Sequence, residues 1–291
     1  MSYYELLNES ARLVGNVACM GLDPQLESFV DSTGDIRSDL NAFFQQLFRR
    51  MSLSGLIPGA FKPNIGYYHS LDRLCEEDFS GSLALADLLD MLQNFFPGVP
   101  IILDSKRGDI ARSSLNYAKE AFEAWQADAV TVAPYMGSDS IKPFLFPDKG
   151  VYILNRTSNP GGKDLQNLLI SSTEASSAPL YLEVARQIAL YNENRGAVGA
   201  VVGATNLEEL KDIASYYHDK KVPLLIPGVG SQGGSATEVM EILRSVSYPV
   251  HLARINSSSA LTHPWKSSPA PDNWLDVCMG NLKRLLEETA L

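Results

Sequence analysis

Four charged residues lie within six positions directly after an apolar run. The run Ile101-Ile102-Leu103 is typical of a buried strand, and it is followed by Asp104, Lys106, Arg107 and Asp109. Because side chains alternate along a strand, Asp104 and Lys106 should point to the same side. Unit charges about 4 Å apart interact by roughly 4 kcal/mol at an effective dielectric of 20. The spacing therefore suits chemistry that moves a charge or a proton, and a solvated salt-bridged loop is the alternative.

A second lysine ends another apolar run. Lys62 follows Gly59-Ala60-Phe61, the predicted strand before the one that carries Asp104. Taken alone, Lys62 is typical of a rim lysine whose aliphatic stem covers apolar surface. Beside Asp104, its ammonium group would extend the cluster. We therefore predict one network of alternating charge from Lys62, Asp104, Lys106 and Asp109.

The segment Gly228–Gly234 reads Gly-Val-Gly-Ser-Gln-Gly-Gly and precedes a predicted helix. Glycines let backbone amides approach an anion, and the amino end of a helix favours negative charge. This pattern predicts a phosphate site, and a flexible turn is the alternative. Asp23, before Pro24, could bind a hydroxyl or could simply start a turn.

Other ionisable residues carry no pattern of their own. The histidines show no metal-ligand spacing, so we interpret them as structural or surface residues, and three arginines near the strand ends as surface or loop residues. These residues are His69, His218, His251, His263, Arg107, Arg112 and Arg156.

Strand-like and helical patterns alternate along the whole chain. Eight such pairs, without a linker or a shift in composition, predict a single (β/α)8 barrel over residues 1–291, and a doubly wound open sheet is the alternative. A short amphipathic helix over about residues 3–13 precedes the first strand, and stretches near 158–178 and 258–273 could close over a site as lids. Capping boxes are predicted at Thr205–Glu208 and Ser235–Glu238. The strand-like runs are 17–22, 59–62, 100–103, 129–132, 151–154, 197–202, 223–226 and 250–255.

Composition excludes several classes of partner. The chain has 291 residues, 45% of them hydrophobic, and a net charge of −10, which argues against a nucleic-acid or anionic-membrane surface. No segment approaches the roughly 20 apolar residues of a membrane span. The three cysteines lack metal-like or disulfide-like spacing, so we expect reduced core thiols in a cytoplasmic protein.

The motifs together resemble one family. The segment Leu103–Ile110 resembles the D-x-K-x-x-D-I signature of orotidine 5′-phosphate decarboxylases, in the K-R-G-D-I form of the longer bacterial subgroup. Further segments match in family order. They are Gly21-Leu22-Asp23-Pro24, Phe61-Lys62-Pro63-Asn64, Ala133–Gly137, Thr157–Gly161 and Pro227–Gly234.

The resemblance implies a TIM-barrel homodimer that converts orotidine 5′-phosphate to uridine 5′-phosphate and carbon dioxide without a metal or organic cofactor. It implies that Lys106 is the proton donor and that Asp104 lies against the substrate carboxylate. Lys62 and Asp109 would complete the network and contact the ribose, with Asp109 reaching into the partner subunit's site.

The resemblance also implies how the remaining parts of the substrate are bound. Asp23 and Ser113 would hold the ribose, and Ser158 would read the pyrimidine edge. The phosphate would be held by Gln232 and the amides of Gly233 and Gly234. Asn64, at the end of its motif, is a further candidate for substrate binding.

One position departs from the family pattern. After the eighth strand the family commonly carries an arginine that clamps the phosphate, but this chain has Ser259. Losing a charge-assisted contact could cost more than tenfold in binding. Arg254, five residues earlier, is the candidate replacement.

A related sugar-phosphate enzyme, a non-catalytic nucleotide-binding protein and a purely structural module are the alternative functions.

Overall fold

The computed structural model describes residues 1–28, 33–172, 175–195, 197–266 and 268–291. Eight parallel strands form one sheet. Bridges from Phe61 to Ile101 and from Asn64 to Asp104 join the two end strands and close the sheet into a barrel. The predicted (β/α)8 barrel is therefore confirmed. The barrel strands are β1 Ala18–Leu22, β2 Ala60–Pro63, β3 Ile102–Arg107, β4 Ala129–Val132, β5 Gly150–Arg156, β8 Val198–Val202, β9 Leu224–Pro227 and β10 Ala253–Ser257. Their order in the sheet is β2-β1-β10-β9-β8-β5-β4-β3.

Helices alternate with these strands and cover the outside of the barrel. The first helix, Tyr3–Val14, shows how local residues set the helix ends. Ser2 and Glu5 form a full capping box at its start, and Gly15, with a left-handed φ of 71°, terminates it. The helices are α1 Tyr3–Val14, α2 Ile36–Ser54, α3 Ile65–His69, α4 Ser80–Phe95, α5 Ala111–Lys119, α6 Ser138–Ile141, α7 Lys163–Gln166, α8 Leu180–Arg195, α9 Leu207–Tyr217, α10 Ala236–Ser245, α11 Ser259–Thr262 and α12 Trp274–Glu288.

Two local predictions need correction. Asn206, not Thr205, lies at the start of α9, and it makes no side-chain cap. The Thr205 hydroxyl instead donates to the carbonyl of Ser158 at 2.9 Å. At α10, Ser235 does accept from the Glu238 amide at 3.3 Å. The stretch after β5 contains an antiparallel hairpin, β6 Leu169–Ser172 and β7 Ala175–Pro179, which the sequence pattern did not predict.

The amino-terminal end of the barrel is filled by α1. Tyr3 and Leu7 are buried in a cluster with inward-facing strand residues such as Ala60 and Tyr152. The hydroxyls of Tyr3 and Tyr152 lie 3.2 Å apart, and burial raises the pKa of Tyr152 to about 12. With this end packed by side chains, a ligand site is left to the carboxyl ends of the strands.

Two of the three cysteines are buried and one is exposed. Cys19 and Cys278 are buried as predicted, and burial raises the pKa of each thiol to about 12. Cys75 is exposed, so the prediction of a core position is wrong for it. Within the described ranges, no helix combines the length and apolar character needed to cross a bilayer.

Candidate active site

A cavity of about 480 Å³ opens at the carboxyl ends of the strands. Its wall contains polar side chains from the ends of β1, β2, β3, β4 and β10 and from the loops after β5 and β9. Parallel strands deliver these residues together because all eight carboxyl ends meet at one rim. The cavity is therefore where the sequence placed the candidate chemistry.

Asp104 lies between two lysines at this rim. Its Oδ2 accepts from Lys62 Nζ at 2.7 Å, and its Oδ1 accepts from Lys106 Nζ at 2.6 Å. The side chains of Lys62 and Asp104 are only 5% and 8% exposed, whereas that of Lys106 is 48% exposed. Lys106 is thus the one ammonium group of the three-residue chain that an incoming ligand can reach readily.

Burial and pairing set the protonation of this group. Burial alone would raise the pKa of Asp104, but the charges of Lys62 and Lys106 hold it well below its usual value. Burial alone would lower the pKa of Lys62, but Asp104 and Asp23 raise it above the ordinary lysine value. At neutral pH, Asp104 is therefore ionised and Lys62 is cationic.

Thr131 of β4 completes the arrangement, and sequence reasoning missed it. Its hydroxyl donates to Asp104 Oδ1 at 2.8 Å and accepts from the amides of Lys106 and Ser105 at 3.0 and 3.1 Å. Lys106 itself has φ 48°, in the left-handed region that side chains rarely adopt. The signal was a lone threonine inside the apolar strand Ala-Val-Thr-Val.

Asp109 and Ser113 lie away from this cavity. Asp109 Oδ1 accepts from the Ile110 amide at 2.7 Å, and Ser113 is exposed in the first turn of α5. Neither belongs to the lining of the cavity in its own chain. The predicted network therefore has three members within one chain, and the expected crossing of Asp109 into a partner's site stays a prediction.

Four other predicted residues do line the cavity: Asp23, Asn64, Ser158 and Gln232. Asp23 Oδ1 is buried and has no hydrogen-bond partner among the described residues. Asn64 caps α3, its Oδ1 accepting from the Gly66 amide at 3.0 Å. A buried carboxylate oxygen without a donor costs folding free energy, so Asp23 Oδ1 is available to accept a hydrogen bond from a ligand.

The glycine-rich loop after β9 differs from expectation. The amide of Gly233 donates to Gly230 O at 2.9 Å, and that of Gly234 donates to Gly228 O at 3.0 Å. These bonds occupy both amides in this conformation, so phosphate binding by the two amides stays a prediction. Ser231 and Gln232 line the cavity instead.

Arg254 does not reach the cavity. It is fully buried near the amino end of β10, where Nε donates to Gly59 O at 2.9 Å and Nη2 donates to Leu7 O at 2.7 Å. Nη1 donates to the carbonyls of His251 and Ala253. The prediction that Arg254 binds substrate is therefore wrong: it ties α1 to the closed end of the barrel.

This placement predicts a stability effect. Charge-assisted hydrogen bonds to buried carbonyls contribute about 1.5–3 kcal/mol each, offset by desolvation of the guanidinium. Arg254→Met should therefore lower the free energy of unfolding in urea by about 2 kcal/mol. Arg244→Met is the matched control, because Arg244 is exposed and donates to one carbonyl, that of Ala290. Lost anion binding with unchanged stability in Arg254→Met would contradict the placement.

Arg156 differs from its predicted surface or loop position, and His263 is one of the histidines predicted to be structural or at the surface. Arg156 is fully buried and donates to Asn206 Oδ1 at 2.9 Å and to Thr157 O at 2.9 Å, which fastens the loop after β5 to α9. His263 is 2% exposed and lines the cavity together with Ser259. Neither burial could be read from a single charged or aromatic residue in a loop.

Comparison with known proteins agrees with the geometry. The family model described as "Orotidine 5′-phosphate decarboxylase / HUMPS family" matches residues 61–243. The orotidine 5′-phosphate decarboxylase of Ralstonia pickettii is 38% identical over 276 residues, which is 94% of this chain and 93% of that protein. That of Cupriavidus metallidurans is 37% identical over 264 residues, 90% of each chain.

The three-dimensional comparison extends over nearly the whole chain. The solved structure of Leishmania donovani OMP decarboxylase has a TM-score of 0.75 and 28% sequence identity, and the match covers 99% of both chains. The matched family segment holds Lys62, Asp104 and Lys106. The resemblance drawn from the motifs is thus confirmed, and the chain belongs to the orotidine 5′-phosphate decarboxylase / HUMPS family.

Proposed function

We propose that this protein decarboxylates orotidine 5′-phosphate to uridine 5′-phosphate and carbon dioxide. The observation that carries the proposal is the Lys62–Asp104–Lys106 chain at the rim of the cavity, with a buried carboxylate held between two ammonium groups. The relatives that are 37–38% identical over 90% or more of this chain are orotidine 5′-phosphate decarboxylases, which supports the same substrate.

The reaction needs electrostatic stabilisation because it develops a localised negative charge on the pyrimidine ring. Loss of carbon dioxide leaves a pair on carbon 6 of the pyrimidine, and no adjacent group can delocalise it. A cation placed beside that carbon stabilises the developing carbanion and can then protonate it. Lys106 suits both tasks, because it is cationic, partly exposed to the cavity and held at 2.6 Å by Asp104.

Asp104 acts on both the lysines and the substrate. Its low pKa keeps it ionised in the neutral range, so it orients Lys106 and repels a substrate carboxylate placed beside it. The repulsion is relieved as carbon dioxide leaves, which favours the transition state over the bound substrate. Thr131 holds the same carboxylate at 2.8 Å and limits its rotation.

Contacts with parts of the substrate far from carbon 6 supply the binding energy that offsets the repulsion between Asp104 and the substrate carboxylate. Asp23 would accept from a ribose hydroxyl, and Ser158 would meet the pyrimidine edge. Gln232 and Ser231 lie on the side of the glycine-rich loop and would meet the phosphate. Asp109 and Ser113, which lie outside the cavity of their own chain, fit the proposal of a homodimer in which they complete the partner's site.

The direct test is the change in ultraviolet absorbance of orotidine 5′-phosphate with purified, chelator-treated protein. We expect rapid, saturable loss of substrate, with uridine 5′-phosphate as the product by chromatography. Tight binding of uridine 5′-phosphate without turnover would reject the proposal and favour a nucleotide-binding protein, for which Ser259 is the supporting feature. Activity of Ser259→Arg in that case would identify the missing arginine as the cause.

A further inference from the structure

His263 carries an unexplained buried nitrogen. The residue is 2% exposed and lines the cavity, and its Nε2 has no hydrogen-bond partner among the described residues. Leaving a buried polar atom unpaired costs about 1–3 kcal/mol, so this nitrogen needs a partner that the described side chains do not supply. The role of this nitrogen is not accounted for by the packing of the free protein.

The other side of the ring is held firmly. Nδ1 lies 2.8 Å from Thr262 Oγ1, which also lies 3.3 Å from the carbonyl of Ser258. The segment is fastened to α12, because Asn281 Nδ2 donates to Ala260 O at 2.8 Å and Cys278 Sγ contacts Thr262 O at 3.5 Å. The imidazole is therefore fixed in one orientation before any ligand arrives.

The charge inventory of the cavity shows what this nitrogen could do. Among the residues lining the cavity, the basic ones are Lys62, Lys106 and His263, and both lysines are already paired with Asp104. The side formed by β9 and β10 offers Ser231, Gln232, Ser258 and Ser259, all uncharged. His263 follows β10 and α11, so it is the ionisable basic group on that side of the described cavity.

We propose that His263 Nε2 donates a hydrogen bond to the phosphate of the bound nucleotide, in place of the arginine contact that Ser259 cannot make. The proposal rests on the decarboxylase function above. If the Thr262 hydroxyl donates to Nδ1, neutral Nε2 carries the proton already. If Nδ1 donates to Thr262, Nε2 gains its proton when the phosphate binds: burial lowers the pKa of His263, and the charge of a nearby phosphate dianion opposes that lowering. Either arrangement gives the same Nε2–H contact.

The ribose is a poorer partner for this nitrogen than the phosphate. Asp23, at the end of the neighbouring strand β1, already offers an unpartnered carboxylate oxygen for ribose hydroxyls. The phosphate needs donors, and β10 lies between β1 and the strand that leads into the glycine-rich loop. A basic group after β10 is therefore placed between the ribose side and the phosphate side.

The test compares a ligand that has the phosphate with one that lacks it. Affinities of uridine 5′-phosphate and uridine are measured by calorimetry for the wild type, His263→Leu and His263→Gln. We expect His263→Leu to weaken the 5′-phosphate ligand at least tenfold and to change uridine less than twofold. His263→Gln, which keeps an N–H donor in a different position, should bind the 5′-phosphate ligand with an affinity between those of the wild type and His263→Leu. His218→Gln is the control, since His218 is exposed on α9's end.

The alternative outcomes are separable. Equal weakening of both ligands would show that His263 only supports the fold or contacts the ribose, and it would overturn the proposal, as would an unchanged affinity for uridine 5′-phosphate. These measurements need no turnover. A wild type that binds uridine 5′-phosphate through His263 but never decarboxylates orotidine 5′-phosphate would reject the proposed function and support this contact.

Discussion

Replacing Lys106 by alanine should lower kcat for orotidine 5′-phosphate by roughly 10⁴-fold or more, because one group serves as both proton donor and electrostatic stabiliser. Binding of uridine 5′-phosphate should change little. Asp104 keeps Lys62 at 2.7 Å and Thr131 at 2.8 Å, so its buried charge stays compensated. The measurements are single-turnover decarboxylation and calorimetric product binding.

The control for this variant is Lys119→Ala. Lys119 is exposed at the end of α5, on the helix that follows the same strand. Because alanine and lysine are both strained at a φ of 48°, Lys106→Ala should not alter the backbone preference of the site. Substantial turnover by Lys106→Ala would show that another group protonates carbon 6, and the assigned role of Lys106 would be wrong.

Replacing Asp104 by asparagine should damage both stability and activity. It leaves the buried ammonium of Lys62 without its ionic partner, and breaking such a pair costs about 3–5 kcal/mol. The pKa of Lys62 should fall, since burial then outweighs the remaining raising influence of Asp23. We expect kcat to fall at least 10³-fold, because Lys106 also loses the group that orients it. Urea unfolding and steady-state kinetics measure the two effects.

The stability effect has a definite pH dependence. The folded-state pKa of Asp104 lies below the unfolded value of about 3.9. Its contribution is therefore complete above about pH 5 and is lost as pH falls through 3.9 toward the folded pKa. The difference in unfolding free energy between wild type and Asp104→Asn should be constant from about pH 5 up to the lowered pKa of Lys62 in the variant, and it should shrink below pH 4.

A double variant separates stability from chemistry. Lys62→Met in the Asp104→Asn background removes the unpaired buried cation, so much of the lost stability should return. Turnover should not return, because Lys106 still lacks its carboxylate. A double variant that regains turnover would show that Asp104 serves only to keep Lys62 buried, and its proposed action on the substrate would be wrong.

The order of strands and helices follows from local patterns, which is why the barrel could be predicted. Eight apolar runs and the helices between them have periodicities that depend only on neighbouring residues. The charged spacing at the end of the apolar run Ile101-Ile102-Leu103 likewise predicted that Asp104 and Lys106 share a side. Boundaries shifted by a few residues: β3 runs over Ile102–Arg107, beyond the predicted end at 103. Arg107 pairs with Val132 of β4 after an irregular stretch, in which the amides of Ser105 and Lys106 donate to the Thr131 hydroxyl.

Tertiary contacts decided the rest of the site. Thr131 matters because β4 lies beside β3, and Arg254 faces the closed end because its position along β10 is near the strand's start. The burial of Arg156 and His263 depends on helices far away in the chain, α9 for Arg156 and α12 for the segment that holds His263. No local pattern encodes those neighbours.

The sequence by itself therefore determined the family, the barrel and the identity of the Lys62–Asp104–Lys106 chain, since these depend on residue type and spacing. Only the tertiary structure decided which donors face the ligand. In the glycine-rich loop, the amides of Gly233 and Gly234 donate to carbonyls of the same loop. At the cavity wall, the nitrogen without a hydrogen-bond partner among the described residues is Nε2 of His263. A hydrogen bond forms between groups that the fold brings together, often from distant parts of the chain. Which donor pairs with which acceptor is therefore decided only by the folded structure.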